Sequence, residues 1–287
     1  MDKSSSSKSK TLKVCLLQFK PVYKKIEESM KIADNLLSKY SEDDNIDVLL
    51  LPEMAFTGYK FDDRKDIEPY LEAAGVGPTF DWWAQKAKEL NWYVFCGYPE
   101  KLDDKMYNSQ LVVSREGEYI KSYKKTFLYE TDITWADEGP GFETTDITNI
   151  GGDTIKVGNG IWMDINPKEF KAPFEDCEFA NFHADNEVDV ILFSSNWVDS
   201  QEYQSNEEAI GSTLNYWWIR LLPFLKCEKA NQGFPKYFVC SDRVGEERGS
   251  VYMGWSWIII GDSENLTLFA SLNNKEEGSI WEILNIY

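Results

Sequence analysis

The sequence has 287 residues, of which 43% are hydrophobic and 15% aromatic, so it can bury a sizeable core as one large α/β domain or two average domains. Its 30 basic and 49 acidic residues give a net charge of −19, which repels phosphate backbones and anionic lipid, so we expect neither nucleic-acid nor membrane partners. Five cysteines without a CxxC pair, and His183 as the only histidine, argue against a disulfide framework or a zinc site. We therefore expect no cofactor and no metal, and assign acid–base chemistry to carboxylates and lysines.

The start of the chain is rich in serine and lysine. This composition predicts a disordered tail over residues 1–11, followed by a single domain over 12–287. The apolar run at 14–19 is too short for a signal peptide or a membrane span. The sequence thus predicts a soluble cytoplasmic protein, with the nucleus as a further compartment, and leaves monomer and homodimer open.

Apolar strands alternate with amphipathic helices along the chain. The first strand is predicted at 14–19, a helix at 24–40 and a fully apolar strand at 48–51, an order typical of a βαβ unit whose sheet is covered on both faces. The 130–148 segment is acidic and is predicted to be a loop. The same patterns predict helices at 79–90, 170–182 and 205–225, and strands at 92–97, 110–114, 119–123, 188–194 and 237–241.

Glu53 follows the strand at 48–51, and ligand sites of α/β proteins gather at the carboxyl ends of strands. Taken alone, this stretch fits a solvated loop carboxylate better than a site residue. Residues 52–59, however, read Pro-Glu-x-x-x-x-Gly-Tyr. That pattern is similar to the first signature of the nitrilase superfamily of carbon–nitrogen hydrolases.

Residues 123–128 resemble the second signature of that superfamily, Tyr-Arg-Lys-x-x-Leu. Lys125 stands where the family has its catalytic lysine, although a surface lysine is the commoner fate of the residue type. The family often takes a second glutamate from the loop that follows. Glu138 is the candidate for that role here, with Glu130 and Glu143 as competitors.

The 156–167 stretch resembles the third signature, in which a strand ends in a sharp turn that carries the nucleophilic cysteine. Trp162 occupies the cysteine position, between Gly160 and Asp164. An indole nitrogen donates a hydrogen bond but has no usable lone pair, so Trp162 cannot form an acyl-enzyme. Cys177 is the alternative nucleophile downstream, although a buried structural role is the default for such a cysteine.

The resemblance covers nearly the whole chain, and residues 163–167 and 215–224 are similar to the fungal protein N-terminal amidases. It implies a four-layer αββα sandwich. It also implies deamidation of asparagine or glutamine at a protein's amino terminus, the first step of an N-degron pathway. In the family mechanism a thiolate attacks the amide, a glutamate moves the proton and a lysine stabilises the oxyanion, roles that fall to Glu53 and Lys125.

Three functions remain open at this stage. The first is an N-terminal amidase-like hydrolase, and the second is an inactive binding protein or variant on the same scaffold, which Trp162 favours. The third is a small-amide hydrolase of the ω-amidase type. The ligand implied by the first two is the amino terminus of a peptide or protein.

The resemblance also predicts the geometry of the site. We expect Glu53 and Lys125 to face each other in a cleft beside residue 162. Each charge should favour its partner's charged form, which would lower the pKa of Glu53 and raise that of Lys125. We also expect acidic side chains at the cleft mouth, where they would suit an α-ammonium group.

Overall fold

The computed structural model describes residues 9–200, 202–227, 235–262 and 264–287. Within these ranges two mixed β-sheets pack face to face, with helices on both outer faces. The helices are α1 (Ile26–Leu37), α2 (Arg64–Ile67), α3 (Pro78–Leu90), α4 (Glu130–Ile133), α5 (Glu178–Asp185) and α6 (Asn206–Leu225). The strands are β1 (Lys10–Gln18), β2 (Val48–Leu50), β3 (Glu72–Ala73), β4 (Tyr93–Leu102), β5 (Lys105–Val113), β6 (Tyr119–Lys124), β7 (Thr144–Thr148), β8 (Thr154–Ile161), β9 (Val190–Ser194), β10 (Lys236–Ser241), β11 (Glu246–Glu247), β12 (Ser250–Val251), β13 (Trp257–Gly261), β14 (Leu266–Ser271) and β15 (Gly278–Ile286).

The first sheet has the strand order β15–β1–β2–β4–β5–β6, with β3 also paired to β4. Strands β1, β2 and β4 run parallel, and β15, β5 and β6 pair antiparallel to their neighbours. Parallel neighbours need a crossover connection. Helix α1 lies between β1 and β2 in the chain, and α3 lies between β2 and β4, so both helices cover the same outer face of this sheet.

The second sheet has the order β14–β13–β10–β9–β8–β7 and the same construction. Its central strands β8, β9 and β10 run parallel, and the strands on either side are antiparallel. Helices α5 and α6 supply the crossovers and cover the outer face. The parallel centres of the two sheets bring the carboxyl ends of β2 and β8 to a common region of the molecule.

The side chains of β1 show how the layers are specified. Leu12, Val14 and Leu16 point into the core between the two sheets, whereas Cys15 and Leu17 point into the core beneath α1 and α3. Both faces of this strand are buried because successive strand residues alternate between faces. The result is the four-layer αββα arrangement that the resemblance implied.

Most predicted helices and strands are confirmed, but the helix expected at 170–182 is wrong in its first half. That region forms short turns at Lys168–Phe170 and Phe174–Asp176, and α5 begins only at Glu178. Pro173 disfavours helical backbone at the residue before it. Phe170 and Cys177 also adopt positive φ angles of 54° and 43°, which no helix accommodates.

One other segment differs from the sequence prediction, and the helix predicted at 205–225 is confirmed. The acidic 130–148 segment, predicted to be a loop, contains the single helical turn α4 and the edge strand β7. Helix α6 begins after Ser205, whose Oγ accepts a hydrogen bond from the Glu208 backbone N at 3.2 Å, and it continues through Pro223 to Leu225. None of the helices in the described ranges has both the length and the hydrophobicity to cross a bilayer.

We predict that Gly97→Ala destabilises the protein. A Cβ at Gly97 would lie 2.5 Å from both the Glu53 Cα and the Met54 backbone N, which are main-chain atoms that cannot rotate away. Overpacking of this kind costs about 1–3 kcal/mol. The free energy of unfolding from urea titration should fall by that amount. Gly211→Ala is the matched control, because Gly211 lies in α6 with open space around it, so alanine there should add about 0.5–1 kcal/mol. Equal effects of the two changes would contradict the argument.

Candidate functional site

Glu53 follows β2 and lies between the two sheets. Its backbone N faces the Ser195 carbonyl of the second sheet at 3.4 Å, and the nearby Ala55 N donates to the Gly97 carbonyl at 2.9 Å. The lack of a side chain at Gly97 allows β4 to approach this loop closely. The Glu53 carboxylate is thus held fully buried, at the strand end where the sequence placed it.

Lys125 follows β6 and is fixed through its main chain. Its backbone N donates to the Asn108 carbonyl at 2.8 Å, and its own carbonyl accepts from the Gly139 N at 2.8 Å. A Cβ at Gly139 would lie 2.2 Å from the Lys124 carbonyl oxygen, so only glycine permits this contact. The ammonium group of Lys125 is thereby directed inward, toward Glu53.

One ammonium group is shared between two carboxylates in the buried centre of the site. The Lys125 Nζ lies 2.6 Å from Glu53 Oε1 and 2.6 Å from Asp132 Oδ2. The Asn108 Nδ2 donates to the same two side chains, at 2.6 Å to Glu53 and 3.0 Å to Asp132. All four side chains are buried. We refer to the three charged residues as the Glu53–Lys125–Asp132 cluster.

Asp132 was missed by the sequence analysis. It lies in the helical turn α4, and its Oδ2 accepts hydrogen bonds from the Tyr129 backbone N at 3.0 Å and the Tyr59 hydroxyl at 3.2 Å. An aspartate three residues after a helix N-cap is a recognised capping arrangement. That spacing was the available signal, but a helix of four residues in an acidic segment is not evident from sequence.

The three glutamates considered for the second carboxylate lie elsewhere. Glu138 is exposed and pairs with Lys168 at 2.9 Å, and Glu143 pairs with Lys121 at 2.6 Å. The structure does not bring either of them to the Glu53–Lys125–Asp132 cluster. Glu130 lies on the wall of an open cavity described below.

The expected direction of the Glu53 pKa shift is wrong. Burial raises the pKa of Glu53 from 4.5 to about 7, and the Asp132 charge adds to this effect, so that the attraction of Lys125 does not compensate. For Lys125 the expected direction is confirmed: burial by itself would lower its pKa, but Asp132 and Glu53 together raise it. The prediction considered the attraction of Lys125 but not the burial of the carboxylate, which has the larger effect, and it did not include Asp132.

Trp162 follows β8, which packs closely against α5. A Cβ at Gly158 would lie 2.8 Å from the His183 ring, and one at Gly160 would lie 2.6 Å from the Phe193 ring. The only histidine is therefore packed behind the strand, where burial lowers its pKa to about 3 and keeps it neutral. The strand ends at Ile161, and the tight turn Trp162–Ile165 follows, as the third signature implied.

Asp164 ties this turn to the Lys125 loop. Its carboxylate accepts hydrogen bonds from the backbone N of Ile161 at 2.8 Å and of Phe127 at 3.0 Å, and from the Tyr123 hydroxyl at 2.8 Å. Burial raises the pKa of Asp164 to about 6 despite these donors. The position of residue 162 relative to Lys125 is thus fixed by a residue two positions further along the chain.

The Trp162 indole covers the Glu53–Lys125–Asp132 cluster. The Lys125 Nζ is 5.2 Å from the centroid of the indole ring, and Trp162 is 5% exposed. The aromatic rings next to the indole are Tyr129, with ring centroids 4.3 Å apart, Tyr59 at 6.0 Å and Trp197 at 6.3 Å. Lys125 and Glu53 are fully shielded from solvent, and the indole lies at the boundary between them and an open cavity.

The cavity has a volume of about 520 Å³, and half of its described lining residues are aromatic. The expectation of an acidic mouth is not met, because Glu130 is the one carboxylate among its described lining residues. Its described walls are Tyr129, Glu130, Trp162, Asn166, Phe170, Trp197, Val198, Ser200, Tyr203, Ser212, Thr213 and Tyr216.

Cys177 lies outside this cavity. It is buried beside α6, where its Sγ is 3.9 Å from the Ile219 carbonyl oxygen, and burial raises the pKa of its thiol. None of the described lining residues of the cavity is a cysteine. Across the described ranges, no group of three or more histidine, cysteine, aspartate or glutamate side chains is arranged to hold a metal ion.

Comparison with known proteins shows the family to which the chain belongs. The profile of the carbon–nitrogen hydrolase family matches residues 13–165, and the chain belongs to this family. It is 36% identical over 208 residues to the protein N-terminal amidase of Saccharomyces cerevisiae, a match that covers 66% of this chain and 46% of that protein. It is 29% identical over 289 residues to the protein N-terminal amidase of Schizosaccharomyces pombe, covering 94% of this chain and 98% of that protein.

The fold is also that of solved amidase structures. A crystal structure of N-terminal amidase with an Asn-Glu-Ala peptide superposes with a TM-score of 0.83, covering 97% of this chain and 98% of that chain at 24% identity. The predicted α/β sandwich and the resemblance to N-terminal amidases are both confirmed. The match spans less than half of the S. cerevisiae protein.

The pKa of Glu53 predicts a pH dependence of stability. The folded state binds the Glu53 proton more tightly than the unfolded chain does, so this stabilisation is fully present below pH 4.5 and is lost as the pH rises through about 7. Glu53→Gln removes the effect. Relative to the parent, the free energy of unfolding of Glu53→Gln should rise by roughly 2–3 kcal/mol between pH 4.5 and 8. Urea titrations across this range provide the measurement.

The exposed Glu138→Gln is the control for this series, and its pH profile should run parallel to that of the parent. The pKa of Asp164 is also raised, so Asp164 adds its own pH dependence to the free energy of unfolding. This contribution is the same in the parent and the variants and cancels when they are compared. If the free energy of unfolding of Glu53→Gln changed with pH in parallel with that of the parent, the raised pKa of Glu53 would be contradicted.

Proposed function

We propose that this protein binds peptide amino termini on an N-terminal amidase scaffold and does not hydrolyse amides. The observation that carries the proposal is Trp162, which occupies the nucleophile position and covers Glu53 and Lys125. In this proposal Glu53 and Lys125 stand at the positions of the family's base and oxyanion stabiliser. They do not catalyse hydrolysis because no nucleophile is present beside them.

Covalent turnover requires a nucleophile within hydrogen-bond reach of its base. The indole of Trp162 offers no lone pair to a carbonyl carbon. Cys177 is buried beside α6, and no described cavity residue is a cysteine. Direct activation of water by Glu53 also lacks a route to substrate, because the indole lies at the boundary between the carboxylate and the cavity.

Binding is supported by the space that remains. The cavity of about 520 Å³ has the size of a small-ligand site. It opens beside residue 162, and a structurally similar N-terminal amidase has been crystallised with an Asn-Glu-Ala peptide. The net charge of −19 and the Glu130 carboxylate favour a ligand that carries positive charge, such as an α-ammonium group. Capture of amino termini would connect the protein to an N-degron pathway as a binding component of the cytoplasm.

The alternative is residual hydrolysis of amino-terminal or small free amides. The intact pairing of Glu53 with Lys125 favours it, since both groups are retained at hydrogen-bond distance. In enzymes with a catalytic triad, loss of the nucleophile leaves an acceleration of about 10³–10⁴ over water. That rate is far below turnover by a complete enzyme.

We predict that the parent releases no measurable ammonia from peptides that begin with asparagine or glutamine. Trp162→Cys should gain some release, because the turn at 162 and its partners are in place, and Trp162→Cys with Glu53→Gln should lose it again. Replacing the indole by a thiol opens a void that costs roughly a few kcal/mol, so the folded fraction is measured first by circular dichroism. Ammonia release from the parent that disappears in Cys177→Ala would show that the nucleophile lies elsewhere.

The proposed binding of peptide amino termini is tested by a separate measurement of affinity. Isothermal titration of the parent with an asparagine-initiated peptide should give tighter binding than the same peptide acetylated at its amino terminus, because acetylation removes the positive charge. Equal affinities would contradict recognition of the amino terminus. The fully reduced protein is used throughout, since the described cysteines are free thiols.

A further inference from the structure

Half of the described residues that line the open cavity beside Trp162 are aromatic. Neighbouring rings among them contact each other edge to face, with planes that meet at 65° for Tyr129 and Trp162, 79° for Trp162 and Trp197, and 88° for Tyr129 and Phe170. The six aromatic members of the wall are Tyr129, Trp162, Phe170, Trp197, Tyr203 and Tyr216.

Most polar groups on the wall are already engaged. The Tyr216 hydroxyl donates to Asn166 Oδ1 at 2.7 Å, and the Tyr203 hydroxyl donates to Ser212 Oγ at 3.0 Å. A primary ammonium brings three N–H donors that each need an acceptor after leaving water. A quaternary ammonium brings none and can be held by aromatic rings instead. Because half of the described lining residues are aromatic, the wall favours a quaternary cation.

The electrostatics of the wall have the sign that a cation requires. Glu130 is exposed at the rim, and the described lining includes no lysine or arginine. The nearest buried cation, Lys125, is paired with both Glu53 and Asp132, so its charge is compensated where it lies beneath the indole. A cation entering the cavity thus meets one carboxylate and a wall on which half of the described residues are aromatic.

We propose that this cavity is an aromatic site for a quaternary ammonium group, with Glu130 as the counter-charge. The inference deepens the proposed binding function and rests on it, because Trp162 is both the residue that removes the nucleophile and one wall of the site. The cavity volume of about 520 Å³ exceeds that of a small cation alone, so the ammonium group is expected to be part of a larger molecule. A peptide trimethylated at its amino terminus and a soluble quaternary amine share this chemistry.

The deciding experiment compares choline with its neutral isostere, 3,3-dimethylbutan-1-ol, by isothermal titration against the parent protein. The two probes have the same shape and differ in charge. Choline should bind at least about tenfold more tightly, as expected for a desolvated cation–π site. Equal affinities, or no choline binding up to solubility-limited protein concentrations, would overturn the proposal.

Variants test whether the rings form the site. Tyr129→Leu should weaken choline binding severalfold, because it removes a ring 4.3 Å from Trp162, and Glu130→Gln should weaken it most at low salt. Tyr119→Leu removes an exposed tyrosine outside the described lining and should leave the affinity unchanged. Circular dichroism shows whether each variant is folded. Loss of choline binding in Tyr119→Leu, or full retention in a folded Tyr129→Leu, would contradict the assignment.

A peptide series separates the two sources of the methylated group. One sequence is prepared with a trimethylated, a free and an acetylated amino terminus, and affinities should decrease in that order. Trimethylated peptide that binds more tightly than choline identifies a peptide terminus as the occupant, and equal affinities identify a soluble amine.

Ammonia release by the parent would refute the proposed lack of hydrolysis without affecting the choline comparison. Equal choline and isostere affinities, without ammonia release, would refute the quaternary ammonium site alone.

Discussion

The site depends on the sharing of one ammonium group between two carboxylates. Lys125 contacts Glu53 and Asp132 at the same distance of 2.6 Å, with all three side chains buried. Burial of charge is costly, and removing one partner from such a cluster costs about 3–5 kcal/mol because the others are left uncompensated. Burial is the main reason that the pKa of Glu53 is raised, because a charged carboxylate loses its contact with water. The attraction of Lys125 opposes this effect but does not compensate for it, and the charge of Asp132 adds to it.

The surrounding fold supplies the rigidity that this arrangement needs. The loops that carry Glu53 and Lys125 belong to the same sheet, and each is approached by a glycine, Gly97 or Gly139, where a Cβ would collide with main-chain atoms. The second sheet contributes the turn at Trp162, which Asp164 fastens to the Lys125 loop through backbone donors. Main-chain contacts therefore hold the loops of Glu53 and Lys125 and the turn at Trp162 in place. Rotation of side chains does not disturb these contacts.

The sequence predicts those parts of the site that depend on local pattern. Glu53 and Lys125 lie at strand ends with recognisable flanking residues, and the sandwich follows from strands with two apolar faces. Asp132 was missed because its place depends on a single helical turn formed by tertiary contacts with Tyr59 and Asn108. The pKa of Glu53 was predicted in the wrong direction because the cost of burying the carboxylate was not counted, and the missed Asp132 charge adds to that cost. The aromatic wall comes from segments far apart in the chain, including Tyr129 and Tyr216, so its assembly could not be predicted from spacing.

The hydrogen bonds of Asp164 have a consequence for how this chain can change. They hold the turn through backbone N–H groups and Tyr123, and none of them involves the side chain at position 162. These hydrogen bonds therefore do not depend on which side chain stands at position 162. Tryptophan and cysteine codons differ only in their third base, so a single point mutation exchanges an indole wall for a thiol. One base change therefore separates the proposed binding protein from a chain with a thiol at position 162.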